Sequence, residues 1–207
     1  MKNNPSNKPL HKMTAQELGQ LFPVVIENYN SAWPEFYRAE EKRIAEAFAP
    51  REIERMDHIG STAIPGLKAK PTIDILLQIS ERLELQKLED VFQSLGYEMN
   101  RRPENPPPHL TFVKGYSPRG FDGQAYHVHV RYKGDWDEIR FRDYLIQHIH
   151  AAKDYEALKL QLAEKYRNDR EAYTEGKSEF IGKVMTLADT DYKSASEEER
   201  LMMKKQG

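Results

Sequence analysis

A mixed α/β fold, with a sheet flanked by helices and a helical C-terminal part, is what this sequence predicts, on three observations. Ile53–Ile59 alternates imperfectly between apolar and polar residues, the more apolar Thr72–Ile79 follows in close succession, and both read as strands. Leu110–Lys114 and Tyr126–Tyr132 repeat that signature, the second with sharp polar/apolar alternation. From Trp136 onward no proline occurs and the apolar period becomes helical.

The elements follow in order. Residues 1–12, rich in Asn, Lys and Pro, read as a flexible lead-in to one domain over 13–188. Thr14 with Glu17 is a capping-box pattern that opens a short helix carrying Leu18 and Leu21, and Pro23 stops it. Val24–Ile26 reads as a strand. Pro34 suits the first turn of a helix that buries Tyr37, Ile44 and Phe48 and ends near Pro50. After Ile59, Gly60-Ser61-Thr62 favours a turn. Leu85, Leu88, Phe92 and Leu95 share a helical face that Gly96 terminates. Arg101–Pro108 is a proline-rich loop, and a glycine-containing loop separates the next two strands. The helical part, from about residue 136, holds Ile139, Leu145 and Ile149 in one helix and Tyr155, Leu158, Leu162 and Tyr166 in the next. Asn168 with Glu171 is a cap signal for a last helix burying Tyr173, Phe180, Val184 and Leu187. Residues 189–207 form a charged tail, with helical character at Glu197–Lys205.

Composition narrows the function classes. With 31 Lys and Arg against 33 Asp and Glu, the formal charge of -2 provides no global field for a polyanion or an anionic membrane. Nucleic acid is therefore not an expected partner. The absence of cysteine excludes a disulfide scaffold, a thiolate zinc site and a cysteine nucleophile. No apolar run approaches the roughly 20 residues of a membrane span and the N-terminal residues are not signal-like, so a cytoplasmic location is expected.

Three groups of residues could carry chemistry. Asp74 stands in an apolar strand, facing away from Ile73 and Ile75, and its burial requires a cation, a donor or water. Upstream, Gly60 permits close backbone approach, and the Ser61 and Thr62 hydroxyls with nearby N–H groups could hold a phosphate. A tight turn and a capping aspartate would give the same pattern. His127, His129 and Arg131 alternate along one strand and so share a face. The two imidazoles could join Asp74 around a metal, or simply form a hydrogen-bonded polar face. Basic residues outnumber acidic ones over 101–142, and with Lys68 and Lys70 beside the Gly-Ser loop they suggest a phosphate-collecting rim or an ordinary solvated surface. His58 and His109 read as structural, and His148 and His150 carry no assigned role.

The stretch from His58 to Leu76, with His127-Val128-His129-Val130, Phe141-Arg142-Asp143-Tyr144-Leu145 and Ala172-Tyr173-Thr174-Glu175-Gly176-Lys177-Ser178, resembles the GrpB-like family from about Leu18 to Leu187. That resemblance implies a nucleotidyltransferase-like fold. It likens Gly60-Ser61 to a turn that faces a triphosphate, and Asp74 to one carboxylate of a metal-binding pair. The second carboxylate is missing, because Thr72 and Leu76 occupy the flanking same-face positions. His127 or His129 in place of an acid moves the preference from Mg²⁺ toward Mn²⁺ or Zn²⁺. The function so implied is metal-dependent nucleotidyl or phosphoryl transfer on a nucleotide or small phosphorylated molecule. Asp74 would be catalytic and Gly60, Ser61, Thr62, Lys70 and Arg131 would hold phosphate. The alternatives are a non-catalytic nucleotide- or anion-binding module and an interaction domain. Similar domains fused to a coenzyme A biosynthetic kinase hint at nucleotide chemistry, but this chain has no G-x-x-x-x-G-K-[ST] loop.

Overall fold

The computed structural model describes residues 8–100 and 108–205, and side chains up to residue 191. Five strands, β1 (Ile53–Ile59), β2 (Thr72–Ile79), β3 (Glu98–Asn100), β4 (Leu110–Ser117) and β5 (Gly120–Tyr132), form one sheet in the order β1-β2-β5-β4-β3. Only the central pair, β2 and β5, runs parallel; the others are antiparallel. Helices α1 (Ala15–Leu21), α2 (Trp33–Ala45) and α3 (Leu85–Ser94) come before β3, and α4 (Asp137–Gln147), α5 (Ile149–Lys165), α6 (Arg170–Glu175) and α7 (Ser178–Lys205) follow β5. No helix among the described residues is long and apolar enough to cross a membrane.

Local chemistry sets several boundaries. At α1 the Thr14 hydroxyl accepts from the Glu17 N–H, and the Glu17 carboxylate accepts from the Thr14 N–H, closing the capping box. At the end of α3, Gly96 takes φ +81°, its N–H donates to Gln93, and the Tyr97 N–H donates to Phe92. This is the Schellman pattern, and Tyr97 packs edge-on against Phe92 with ring centroids 5.2 Å apart, the apolar contact that such a cap favours.

The alternation of β2 divides its side chains between two environments. Ile73, Ile75, Leu77 and Ile79 point into the main core with Val128, Val130 and Phe112, under Trp33, Ile44, Leu88 and Phe92 of the helices. All four β2 residues are fully buried, and each such side chain contributes about 1.5–3 kcal/mol. The opposite face carries Thr72, Asp74, Leu76 and Gln78 beside Ala125, His127, His129 and Arg131. A second apolar cluster, including Ile64, Leu67, Leu145, Tyr155 and Val184, joins α4, α5 and α7 to the loop after β1. Arg142 of α4 ties this layer to the sheet by donating to the carbonyl of His58 and reaching Asp57 at 3.4 Å.

Several expectations need correction. Val24–Ile26 is not a strand: the segment meets the rest through an isolated bridge between Glu27 and Ala69, and the Val24 N–H donates to Arg167. Helix α2 stops at Ala45, earlier than Pro50 implies. β4 and β5 run on past the expected loop to a turn at 118–119. The predicted last helix is two helices, α6 and α7. Its cap is Asp169, whose carboxylate accepts from the Ala172 N–H, and not Asn168. A Cβ on Gly176 would come within 2.6 Å of Leu162 Cδ2, so a larger residue at this junction would require the leucine to shift. Leu187 is 51% exposed rather than buried. Within the segments read as lead-in and tail, Leu10–Lys12 form a 3-10 turn and α7 continues to Lys205. Residues 101–107 of the proline-rich loop, with Arg101 and Arg102, lie outside the described residues.

Candidate metal centre

Asp74, His127 and His129 come together because β2 and β5 are parallel neighbours in a register that places Asp74 opposite His127 and Leu76 opposite His129. Asp74 Oδ1 lies 3.4 Å from His127 Nδ1 and 3.3 Å from His129 Nε2. One ligand atom from each of the three residues falls within 4.8 Å of the others. Bonds of about 2 Å in a tetrahedron separate ligand atoms by about 3.3 Å, so the two shorter edges already have the dimension of a metal site. The Asp74 side chain keeps 26% of its surface accessible, which leaves the cluster open on one side.

Tyr116 completes the arrangement. Its hydroxyl lies 2.7 Å from His127 Nε2, the nitrogen turned away from Asp74, and its ring stacks on the imidazole at a centroid distance of 5.7 Å. Ligating histidines commonly have the second nitrogen held in this way, which fixes ring orientation and tautomer. Simple alternation along β4 would place Tyr116 with Lys114 on the opposite face. The register breaks between them, where Gly115 takes φ +90° and a side chain would strike the Gln124 carbonyl. This irregularity re-aims Tyr116 at the histidine, the usual service of a bulge beside a site.

Burial would raise the Asp74 carboxyl, but hydrogen bonds and charge from His127 and His129 outweigh it and hold the group well below the usual carboxylate range. Burial lowers the His127 imidazole, with Asp74 opposing. At neutral pH the cluster therefore offers an anionic oxygen and a neutral ring nitrogen from His127, the protonation states a metal requires.

The Gly-Ser turn packs directly on this aspartate. Gly60 has φ +70° and ψ -172°, a region open essentially to glycine alone, and a Cβ there would lie 2.6 Å from Asp74 Oδ2. Gly60→Ala is expected to lose about 1–3 kcal/mol of stability from backbone strain and to weaken metal binding by displacing the carboxylate. Denaturant unfolding and a Zn²⁺ titration of the same variant check both parts.

The remaining predicted residues divide. Ser61 opens a short 3-10 turn beside the Tyr155 phenol. Thr62 is 1% exposed and donates to the Thr72 carbonyl, while its oxygen sits 3.0 Å from His58 Nε2. That hydroxyl secures the turn to β2, and His58, stacked on Tyr37 at 4.9 Å, is part of the same packing. Lys70 lies close enough to feel the Asp74 charge. Arg131, farther along β5, donates to Glu138 and to the Val130 carbonyl and sits over Trp136, so its charge is already matched. Sequence reasoning missed Tyr116, whose facing is set by the register break at Gly115.

Comparison with known proteins agrees with this architecture. The family profile described as GrpB protein matches residues 23–187. A UPF0157 protein of Pseudomonas aeruginosa is 42% identical over 159 residues, 76% of this chain and 64% of that protein. The UPF0157 protein YqkA of Bacillus subtilis is 33% identical over 158 residues, 74% of this chain and 43% of that protein. The matches thus span less than two thirds of either relative. The crystal structure of conserved protein GrpB from Enterococcus faecalis superposes with a TM-score of 0.68 at 29% identity, covering 81% of this chain and 99% of that one. A profile match over most of the chain and a shared fold along nearly the whole of a GrpB structure lead to one conclusion: the chain belongs to the GrpB family.

Proposed function

We propose that this chain holds one divalent transition metal on Asp74, His127 and His129 and acts with it on a small phosphorylated molecule or nucleotide, in phosphoryl or nucleotidyl transfer. The observation that carries the reading is the donor set, two imidazoles and one carboxylate within 4.8 Å on an accessible sheet face. Three protein ligands with an open position suit catalytic zinc and related ions, whereas Mg²⁺ demands oxygen. A bound ion at this place would supply Lewis-acid polarisation of a phosphoryl oxygen. The chain's own groups beside it, Ser61 and Lys70, would orient the phosphate. A second reading, a binding module without transfer, is favoured by the lone carboxylate: Thr72 and Leu76 flank Asp74 on its face, and two-metal transfer calls for clustered acids.

Calorimetric titration with Zn²⁺, Mn²⁺ and Mg²⁺ tests the donor set, with Zn²⁺ and Mn²⁺ expected to bind more tightly than Mg²⁺. Equal or tighter binding of Mg²⁺ would refute it. Release of pyrophosphate or phosphate from nucleoside triphosphates in the presence of Zn²⁺ or Mn²⁺ separates the two readings, since a binding module turns nothing over.

A further inference from the structure

Beside the metal ligands the chain gathers three cations that form no ion pair among the described residues. Lys70, just ahead of β2, and Lys177, at the junction of α6 and α7, both place their ammonium groups over the Tyr173 ring, at 5.3 and 4.7 Å from its centroid. Arg170 lies over the Tyr116 ring at 5.8 Å and spends one hydrogen bond on the Phe22 carbonyl. None of the three forms an ion pair among the described residues, although nearby cations do: Arg140 pairs with Asp137 and Asp189, Arg142 with Asp57 and Asp143, and Lys68 with Glu156. Asp74 is the carboxylate whose charge reaches Lys70 and Lys177, and it is engaged by the two histidines.

Burial and mutual repulsion act on this group. Lys70 is pulled down to about 8 by burial, then by Arg170 and Lys177, with Asp74 opposing. Partly buried like charges without a counter-ion are unfavourable, and a bound anion is what relieves them. We propose that Lys70, Lys177 and Arg170 form an anion subsite that receives the phosphoryl end of a phosphomonoester or diphosphate, adjacent to Asp74, His127 and His129. A monocarboxylate would leave most of this positive charge unmatched, whereas phosphate brings two charges and several acceptor oxygens for charge-assisted hydrogen bonds. The proposal rests on the reading of a phosphorylated ligand given above. It does not require the metal to be bound.

The test is calorimetry on chelator-treated full-length protein with inorganic phosphate, pyrophosphate, ADP and, as a control, acetate. Phosphate and pyrophosphate are expected to bind, and acetate at least tenfold more weakly. Lys177→Met and Lys70→Met should each weaken pyrophosphate by about tenfold or more, the effect of one charged hydrogen bond, while Lys177→Arg retains most of the affinity. Tighter ADP than pyrophosphate would assign the subsite to a nucleotide; equal affinity would assign it to the phosphates alone. Zn²⁺ should bind the two methionine variants at least as tightly as wild type, since each loses a positive charge near Asp74, which shows that fold and metal ligands persist. Unchanged pyrophosphate affinity in both methionine variants, or acetate as tight as phosphate, would overturn the subsite even if Zn²⁺ binds. Loss of Zn²⁺ binding with phosphate binding intact would overturn the metal reading alone.

Discussion

Asp74→Asn is expected to weaken Zn²⁺ binding by more than about 100-fold, exceeding the 10–100-fold that loss of an outer-shell partner typically brings. Asparagine has nearly the same size, and its carbonyl can still meet one imidazole, so the sheet and the Gly60 contact persist. What disappears is the negative charge, which lies 3.3 and 3.4 Å from the two ring nitrogens and supplies the anionic ligand in a set otherwise composed of neutral imidazoles. Tyr116→Phe removes only the hydroxyl 2.7 Å from His127 Nε2 and should weaken Zn²⁺ by about 10–100-fold. The ranking of the two variants is the informative result. If Asp74 merely caps the Gly-Ser turn, Asn leaves Zn²⁺ affinity unchanged in calorimetry. Affinity should also fall toward acid, as protons compete for the histidines.

The parts of this molecule that were legible in the sequence are those decided by neighbours in the chain. The capping box at Thr14, the terminating Gly96 and the apolar run of β2 each follow from a few consecutive residues, and each appears at its predicted place. Asp74, His127 and His129 were legible as candidates because an acid in an apolar strand and histidines two apart on another announce a shared face. Their convergence needed only that β2 and β5 be neighbours. Tyr116 was not legible, since its face depends on a register break whose extent is set by Gly115 against the Gln124 carbonyl. Glu98–Asn100 lacks any strand composition and gains its pairing from β4. Val24–Ile26 has that composition but no partner strand; Val24, 1% exposed, is used in packing, while Val25 is 38% exposed. The Lys70 and Lys177 pair joins residues more than a hundred positions apart through the Tyr173 ring, a contact that no local pattern encodes.

Stability is expected to rise as pH increases from about 7 toward about 10, and Lys159→Met is expected to flatten that rise. Lys159 is 1% exposed, donates to the Lys68 carbonyl and lies 4.9 Å from the centroid of the Tyr155 ring. Burial pulls its ammonium down to about 7, Lys177 pushes in the same direction and Glu156 opposes. In the unfolded chain a lysine titrates near 10.4. Between these two values the unfolded state binds more protons than the native state, so unfolding free energy increases with pH. Lys70, lowered to about 8, and Lys177 add to the slope in the same sense. Above about 10 the sign reverses, because burial pushes the Tyr155 phenol up to about 12 and raises Tyr173 as well, so native tyrosines keep protons that the unfolded chain has lost. At about 1.4 kcal/mol per unit of pKa difference, the Lys159 contribution is on the order of a few kcal/mol across the window. Methionine fills a similar volume without a charge to bury, at the loss of one hydrogen bond to a backbone carbonyl, and replacing buried charge by apolar volume is often neutral or stabilising. Denaturant unfolding of both proteins at pH 7, 8, 9 and 10 reads the two slopes directly. A variant slope equal to that of wild type would place the pH dependence elsewhere, with Lys70 and Lys177 as the next groups to neutralise.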